Sequence, residues 1–200
     1  PKLEKPDDPT PSLPCNGGDD CPGKIFMDMP AKGNWAHDAI DWAIVNKITA
    51  GTSATTFSPN TGCTRAQVVT FLWRAAGEPE PETTNNPFED VKERSWYYKA
   101  VLWAAETDVT AGTSATTFSP DATCTRAQIV TFLWRFEGEP ASTTTNNSFT
   151  DVKAGAYYEK AVLWASETGV TAGTSATTFS PSATCTRAQI VTFLYRDLAA

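Results

Sequence analysis

The eleven residues TAGTSATTFSP begin at Thr49, Thr110 and Thr171, a spacing of 61 residues each time. Thr-Arg-Ala-Gln follows at Thr64, Thr125 and Thr186 with the same interval, and Phe-x-Asp precedes at Phe26/Asp28, Phe88/Asp90 and Phe149/Asp151. Repetition on this scale limits the possible folds sharply. Whatever supersecondary unit one copy adopts, the others adopt too, and their apolar faces must cover one another.

Each unit reads as two helices. The first runs from about Trp35 to Asn46, with Ala36, Ala39, Ile40, Ala43 and Ile44 at helical spacing. Its counterparts use Tyr97, Ala100, Val101 and Ala104, then Tyr158, Ala161, Val162 and Ala165. The second starts at Thr64, carries Ala66, Val69, Leu72, Trp73 and Ala76, and stops at Gly77, as Gly138 stops the next copy. Glycine suits the left-handed position just past a helix. Trp42, Trp103 and Trp164, midway along the first helices, are assigned to the core.

Two helices of about twelve residues cannot enclose a core alone. The first and last units keep the apolar positions that an open array would replace with polar caps. The expected fold is therefore all-α, mainly helical with long loops, its three units closed into a pseudo-threefold arrangement. The divisions are a linker over 1–24, units over 25–77, 88–138 and 149–200, and polar, proline-bearing connectors over 78–87 and 139–148.

Composition supports a real core, since 40% of the residues are hydrophobic and ten are phenylalanine. A net charge of −7 argues against nucleic acid and against attraction to an anionic membrane. No apolar run approaches the roughly 20 residues of a membrane span. An anionic partner would have to be held by local arginines. The opening, PKLEKPDDPTPSLP, is stiff and proline-rich, and without an initiator Met or a signal-like segment the chain reads as a piece with something larger upstream.

Cys15 and Cys21 frame CNGGDDC, where two glycines permit a tight reversal. A Cys15–Cys21 disulfide, and with it an oxidising exterior, is the favoured reading; metal binding with Asp19 and Asp20 is the alternative. Cys63, Cys124 and Cys185 belong to the repeat and read as small buried apolar residues. No metal site and no cofactor is expected.

Thr64 followed by Gln67 is a capping box, repeated at Thr125/Gln128 and Thr186/Gln189. Arg65, Arg126 and Arg187 then stand at the first helical position, where the helix dipole disfavours a cation. Retaining such a residue three times points to an anion site, built from helix amides and an adjacent guanidinium. Glutamine in place of glutamate keeps the cap and leaves the neighbouring arginine freer, so Gln67→Glu is expected to weaken anion binding. Gly51, Gly112 and Gly173 are either left-handed turn residues or places where a ligand approaches the backbone. Trp35, Trp96 and Tyr157 are placed to stack on a sugar face, and Asp28, Asp90 and Asp151 to cap a turn or contact a ligand.

Together these words resemble the S-layer homology (SLH) domain in three tandem copies, over about Phe26 to Arg196. The resemblance implies a three-pronged bundle that anchors surface proteins to bacterial secondary cell-wall polysaccharides, often ending in a pyruvylated amino sugar. It implies ligand sites in the grooves between repeats, with Arg65, Arg126 and Arg187 as principal contacts. It also implies an extracellular, wall-attached location and further domains upstream. Gln replaces the family's Glu in the Thr-Arg-Ala-Glu motif, cysteines replace branched aliphatics, and Tyr157 replaces Trp. The competing reading is a protein-interaction or surface-layer self-assembly module. An enzyme is not expected: there is one histidine and no Ser-His-Asp set, although repeated carboxylates such as Asp28 could pair across a groove.

Overall fold

The computed structural model describes residues 21–144 and 146–199. Among them six α-helices follow in order: α1 (His37–Val45), α2 (Arg65–Ala75), α3 (Tyr98–Glu106), α4 (Arg126–Phe136), α5 (Glu159–Glu167) and α6 (Arg187–Leu198). A short 3-10 helix, Pro22–Ile25, precedes α1. Extended pairing among the described residues is limited to isolated bridges, so the all-α expectation holds.

The first helix of each unit begins later than its apolar spacing alone indicates. In the first unit Asn34 is the cause: its Oδ1 accepts from Ala36 N and its carbonyl from His37 N, both at 3.0 Å, which makes 34–37 a turn. Tyr98 N to Ser95 O (3.0 Å) and Glu159 N to Ala156 O (2.9 Å) repeat the device. The second helices start where the capping box predicts. Gln67 N donates to Thr64 Oγ1 and Thr64 N to Gln67 Oε1, and both equivalents are formed in the other copies. At the far end Gly77 has φ +85°, its N–H donates to Arg74 O, and Glu78 N donates to Trp73 O, each at 2.9 Å. That is the paired closure of a Schellman end.

The main helix contacts join different units. The second helix of each unit packs on the first helix of the next, α2 on α3 and α4 on α5, and α6 packs on α1. Trp42 meets Tyr195 of the third unit edge-on at 5.7 Å, while Trp103 meets Phe136 of its own unit at 6.1 Å. Trp42, Trp103 and Trp164 are all buried, as assigned. Each helix pair is thus built from two units, which is why no single copy could enclose its own core.

A cycle of backbone bonds lies where the second helices start. Cys63 N donates to Cys185 O (3.0 Å), Cys124 N to Cys63 O (2.8 Å) and Cys185 N to Cys124 O (3.0 Å). Contacts therefore run from each unit to the next and from the third back to the first. The three thiols are free and completely buried. Burial pushes Cys63 up to about 12 and Cys185 up to about 11, and Cys124 higher still. They are neutral, small and apolar in function.

Each long loop is clasped by its own unit's aspartate. The two carboxylate oxygens of Asp28 accept Phe57 N (2.8 Å) and Ser58 N (2.7 Å); Asp90 holds Phe118 and Ser119 in the same way, and Asp151 holds Phe179 and Ser180. The clasp fixes Ser58, Ser119 and Ser180 at φ near +60°, a conformation that is rare for serine. Gly51 (φ +84°) has a second reason to be glycine: a Cβ there would lie 2.5 Å from both the Phe26 ring and Thr56 O.

The connectors are tied down by a carboxylate at the end of the first helix that follows them. Glu106 accepts the amides of Glu82 and Thr83 at 3.0 and 3.1 Å. Glu167 accepts from Thr143 N (2.9 Å) and from the hydroxyls of Ser142 and Thr143, and these bonds hold its carboxyl below the usual range. The first unit differs. Asp41 stands where the other units have Leu102 and Leu163, and it accepts Gly23 N at 2.7 Å, docking the 3-10 helix on α1. His37 lies beside it, with Nε2 3.3 Å from Asp41 Oδ2 and Nδ1 donating to Pro30 O. Cys21 is buried against this pair and disulfide-bonded; Cys15, its expected partner, lies outside the described residues.

Candidate functional site: the grooves between units

The repeated arginines are not surface residues. Arg65, Arg126 and Arg187 are 3%, 5% and 2% exposed. Arg65 Nε donates to Phe118 O of the next unit at 2.8 Å, and its guanidinium lies 4.9 and 5.2 Å from the Phe118 and Phe132 ring centres. Arg126 makes the same contacts with Phe179 and Phe193, and Arg187 with Phe57 and Phe71. A ring face attracts the cation, and the carbonyl compensates part of its lost hydration. Burial still lowers the pKa of all three, but an arginine starts so high that it remains a cation.

The helix amides expected to meet an anion are already taken. Arg65 N donates to Ala122 O and Ala66 N to Pro120 O, at 2.9 and 3.0 Å, while Gln67 N goes to Thr64 Oγ1. Arg126 and Ala127 meet Ala183 O and Pro181 O, and Arg187 and Ala188 meet Thr61 O and Pro59 O. The loop of a neighbouring unit, remote in sequence, supplies these carbonyls. What remains for a ligand is the outer part of each guanidinium.

Arg65 lines a groove of about 350 Å³. Thr110, Gly112, Gln128, Arg135 and Tyr157 line it too, so all three units contribute. Of the residues singled out in the sequence, the structure thus brings Arg65, Gly112 and Tyr157 together. Tyr157 is 63% exposed, and burial of the remainder raises its hydroxyl pKa. Trp96 (63%) and Trp35 (59%) hold the same place in the other units and are equally open. Gly112 and Gly173 share the left-handed conformation of Gly51, both at φ +79°. Asp28, Asp90 and Asp151 stand apart from the other candidates, because both oxygens of each are committed to the clasp.

The glutamine in Arg65's groove is Gln128 of the next unit, not Gln67 beside it in sequence. Gln67 does not line this groove, so the effect of Gln67→Glu on an anion bound here is expected to be smaller than that of Gln128→Glu. Sequence reasoning also missed Thr49, Thr110 and Thr171, which are buried. Arg187 Nη2 donates to Thr49 Oγ1 at 3.2 Å and Arg126 Nη2 to Thr171 Oγ1 at 3.3 Å, whereas Arg65 Nη2 is buried with no partner. A second arginine was missed as well: Arg74, Arg135 and Arg196 recur at the unit spacing, which was a readable signal.

Comparison with known proteins agrees with the geometry. The S-layer homology domain family matches residues 25–69, 87–130 and 148–191. An endoglucanase of a Bacillus species is 37% identical over 61% of the chain, a match covering 13% of that protein. The surface-layer 125 kDa protein of Lysinibacillus sphaericus is 30% identical over 82% of the chain and 14% of its own length. A cellulosome-anchoring protein of Acetivibrio thermocellus is 26% identical over 71% of the chain and 33% of its own length. The chain spans a third or less of each of these relatives. Three matched segments, one in each unit and together covering more than half of the residues, place the chain in the S-layer homology domain family.

Proposed function

We propose that the chain is a non-catalytic anchoring module, a three-pronged, pseudo-threefold bundle that binds a secondary cell-wall polysaccharide on the outside of a bacterium. The polymer presents an anionic terminus, such as a pyruvylated amino sugar, to the grooves between units, and further domains of a larger surface protein are carried by the same chain. The observation that supports this reading most is the Arg65 groove. A buried cation with an unpartnered N–H, an exposed aromatic ring and a glycine without a side chain surround a space of sugar size. The surface-layer and cellulosome-anchoring proteins among its relatives point the same way. Three weak grooves acting on one wall would add up by avidity.

Co-sedimentation tests it. The chain is expected to pellet with wall fragments that carry the polymer, to stay in solution with fragments stripped of it, and to be released by free pyruvylated N-acetylmannosamine. Equal retention on stripped fragments would overturn the proposal, and retention on immobilised copies of the chain would favour self-assembly.

A further inference from the structure

Arg135 sits on the boundary of two cavities. It lines the Arg65 groove, and with Thr107, Asp108, Ala111, Gly138 and Glu139 it lines a second space of about 460 Å³. Ala111 and Arg135 are common to both, so the two spaces adjoin and together make a cleft divided at these residues. We propose that this cleft is a two-compartment site: the anionic terminal sugar occupies the Arg65 compartment, and the sugar next in the chain occupies the compartment walled by Asp108 and Glu139. The proposal rests on the glycan-terminus reading above and extends it to the length of glycan recognised.

Three observations carry it. The first is the uncommitted Arg65 Nη2, which gives the inner compartment a donor that its equivalents spend on threonine hydroxyls. The second is the state of Arg135. Arg74 Nη1 donates to Ile48 O and Arg196 Nη1 to Val170 O, at 3.3 and 3.4 Å, while among the described residues Arg135 makes only a 3.8 Å ion pair with Glu139. Its planar donors are available at the junction, where the linkage oxygens and acetamido carbonyl of a bound glycan would pass. The third is composition. Asp108 is exposed and is replaced by Lys47 and Gly169 in the other units, and Glu139 by Glu78 and Ala200. Paired carboxylates therefore wall the outer compartment in this cleft alone. Carboxylates accept hydrogen bonds from sugar hydroxyls and repel a second anion, so the outer occupant is a neutral sugar.

Asp108 adopts φ +60°, which glycine takes more easily, and glycine stands there in the third unit; Asp108→Gly is thus a fold-compatible change. The experiment compares two probes by calorimetry: the methyl glycoside of pyruvylated N-acetylmannosamine, and the disaccharide in which that residue is linked to N-acetylglucosamine. Wild type is expected to bind the disaccharide about tenfold more tightly. An Asp108→Gly/Glu139→Ala variant, with unchanged far-UV circular dichroism, should lose that gain while keeping its affinity for the monosaccharide. Equal affinities of wild type for the two probes, or a disaccharide gain that survives in the variant, would overturn the two-compartment site and leave the anchoring proposal standing. Binding of neither probe by wild type would overturn both.

Discussion

Two sets of threefold residues behave differently. At the seam Cys63, Cys124 and Cys185 are alike: each is fully buried, each gives its amide to another unit's carbonyl, and each thiol is driven upward by burial. At the grooves Arg65, Arg126 and Arg187 share the Nε bond and the ring contacts but part company at Nη2. A contact that closes the cycle must suit all three units at once. A groove wall has no such obligation, so the units diverge there.

The sharpest test of the seam is alkaline. The folded thiols ionise well above their unfolded values, so the stability this confers is complete below about pH 8.5 and is lost as pH rises toward the folded values. Each thiol lowers stability by up to about 1.4 kcal/mol per pH unit in that window. Urea denaturation at pH 8 and pH 10 should show the fall, and a variant with Val at positions 63, 124 and 185 should flatten it relative to wild type. An unchanged slope in that variant would mean that the seam thiols ionise as freely as exposed ones.

A smaller effect separates the arginines. Arg187→Ala removes the cation, leaves Phe57 O without its donor and takes one of two donors from Thr49 Oγ1, which keeps the Gly51 N–H, and is expected to cost about 3 kcal/mol. Arg65→Ala loses the same Nε bond but no threonine partner, and should cost about 1 kcal/mol less. Equal losses in paired urea titrations would erase the distinction between the grooves. Smallest of the three is the glutamine exchange. Gln128→Glu places a carboxylate in the Arg65 groove and should weaken binding there about fivefold, whereas Gln67→Glu should leave that groove's affinity for the methyl glycoside unchanged. The reverse pattern would reassign the grooves.

Much of the architecture was readable from local chemistry. The capping boxes, the glycine stops at Gly77 and Gly138, the buried tryptophans and the apolar cysteines all depend on residues a few positions apart, or on hydrophobicity alone. The burial of Arg65 was not readable, because its partners Phe118 and Phe132 lie in another unit and only the packing of α2 against the next copy brings them near. The place of Gln128 beside Arg65 has the same origin: residues of two units meet only where those units pack. Asp41 was a missed signal of another kind, a carboxylate at a position where the other units are leucine, marking the 3-10 helix that docks there.

The pairing of α6 with α1 repeats, for the two ends of the described fold, what α2–α3 and α4–α5 do inside it. To the packed structure the covalent order of the units is therefore close to arbitrary. A circular permutant that joins the third unit to the first through a copy of residues 78–87, and opens the chain within 139–148, would satisfy every helix contact of the parent.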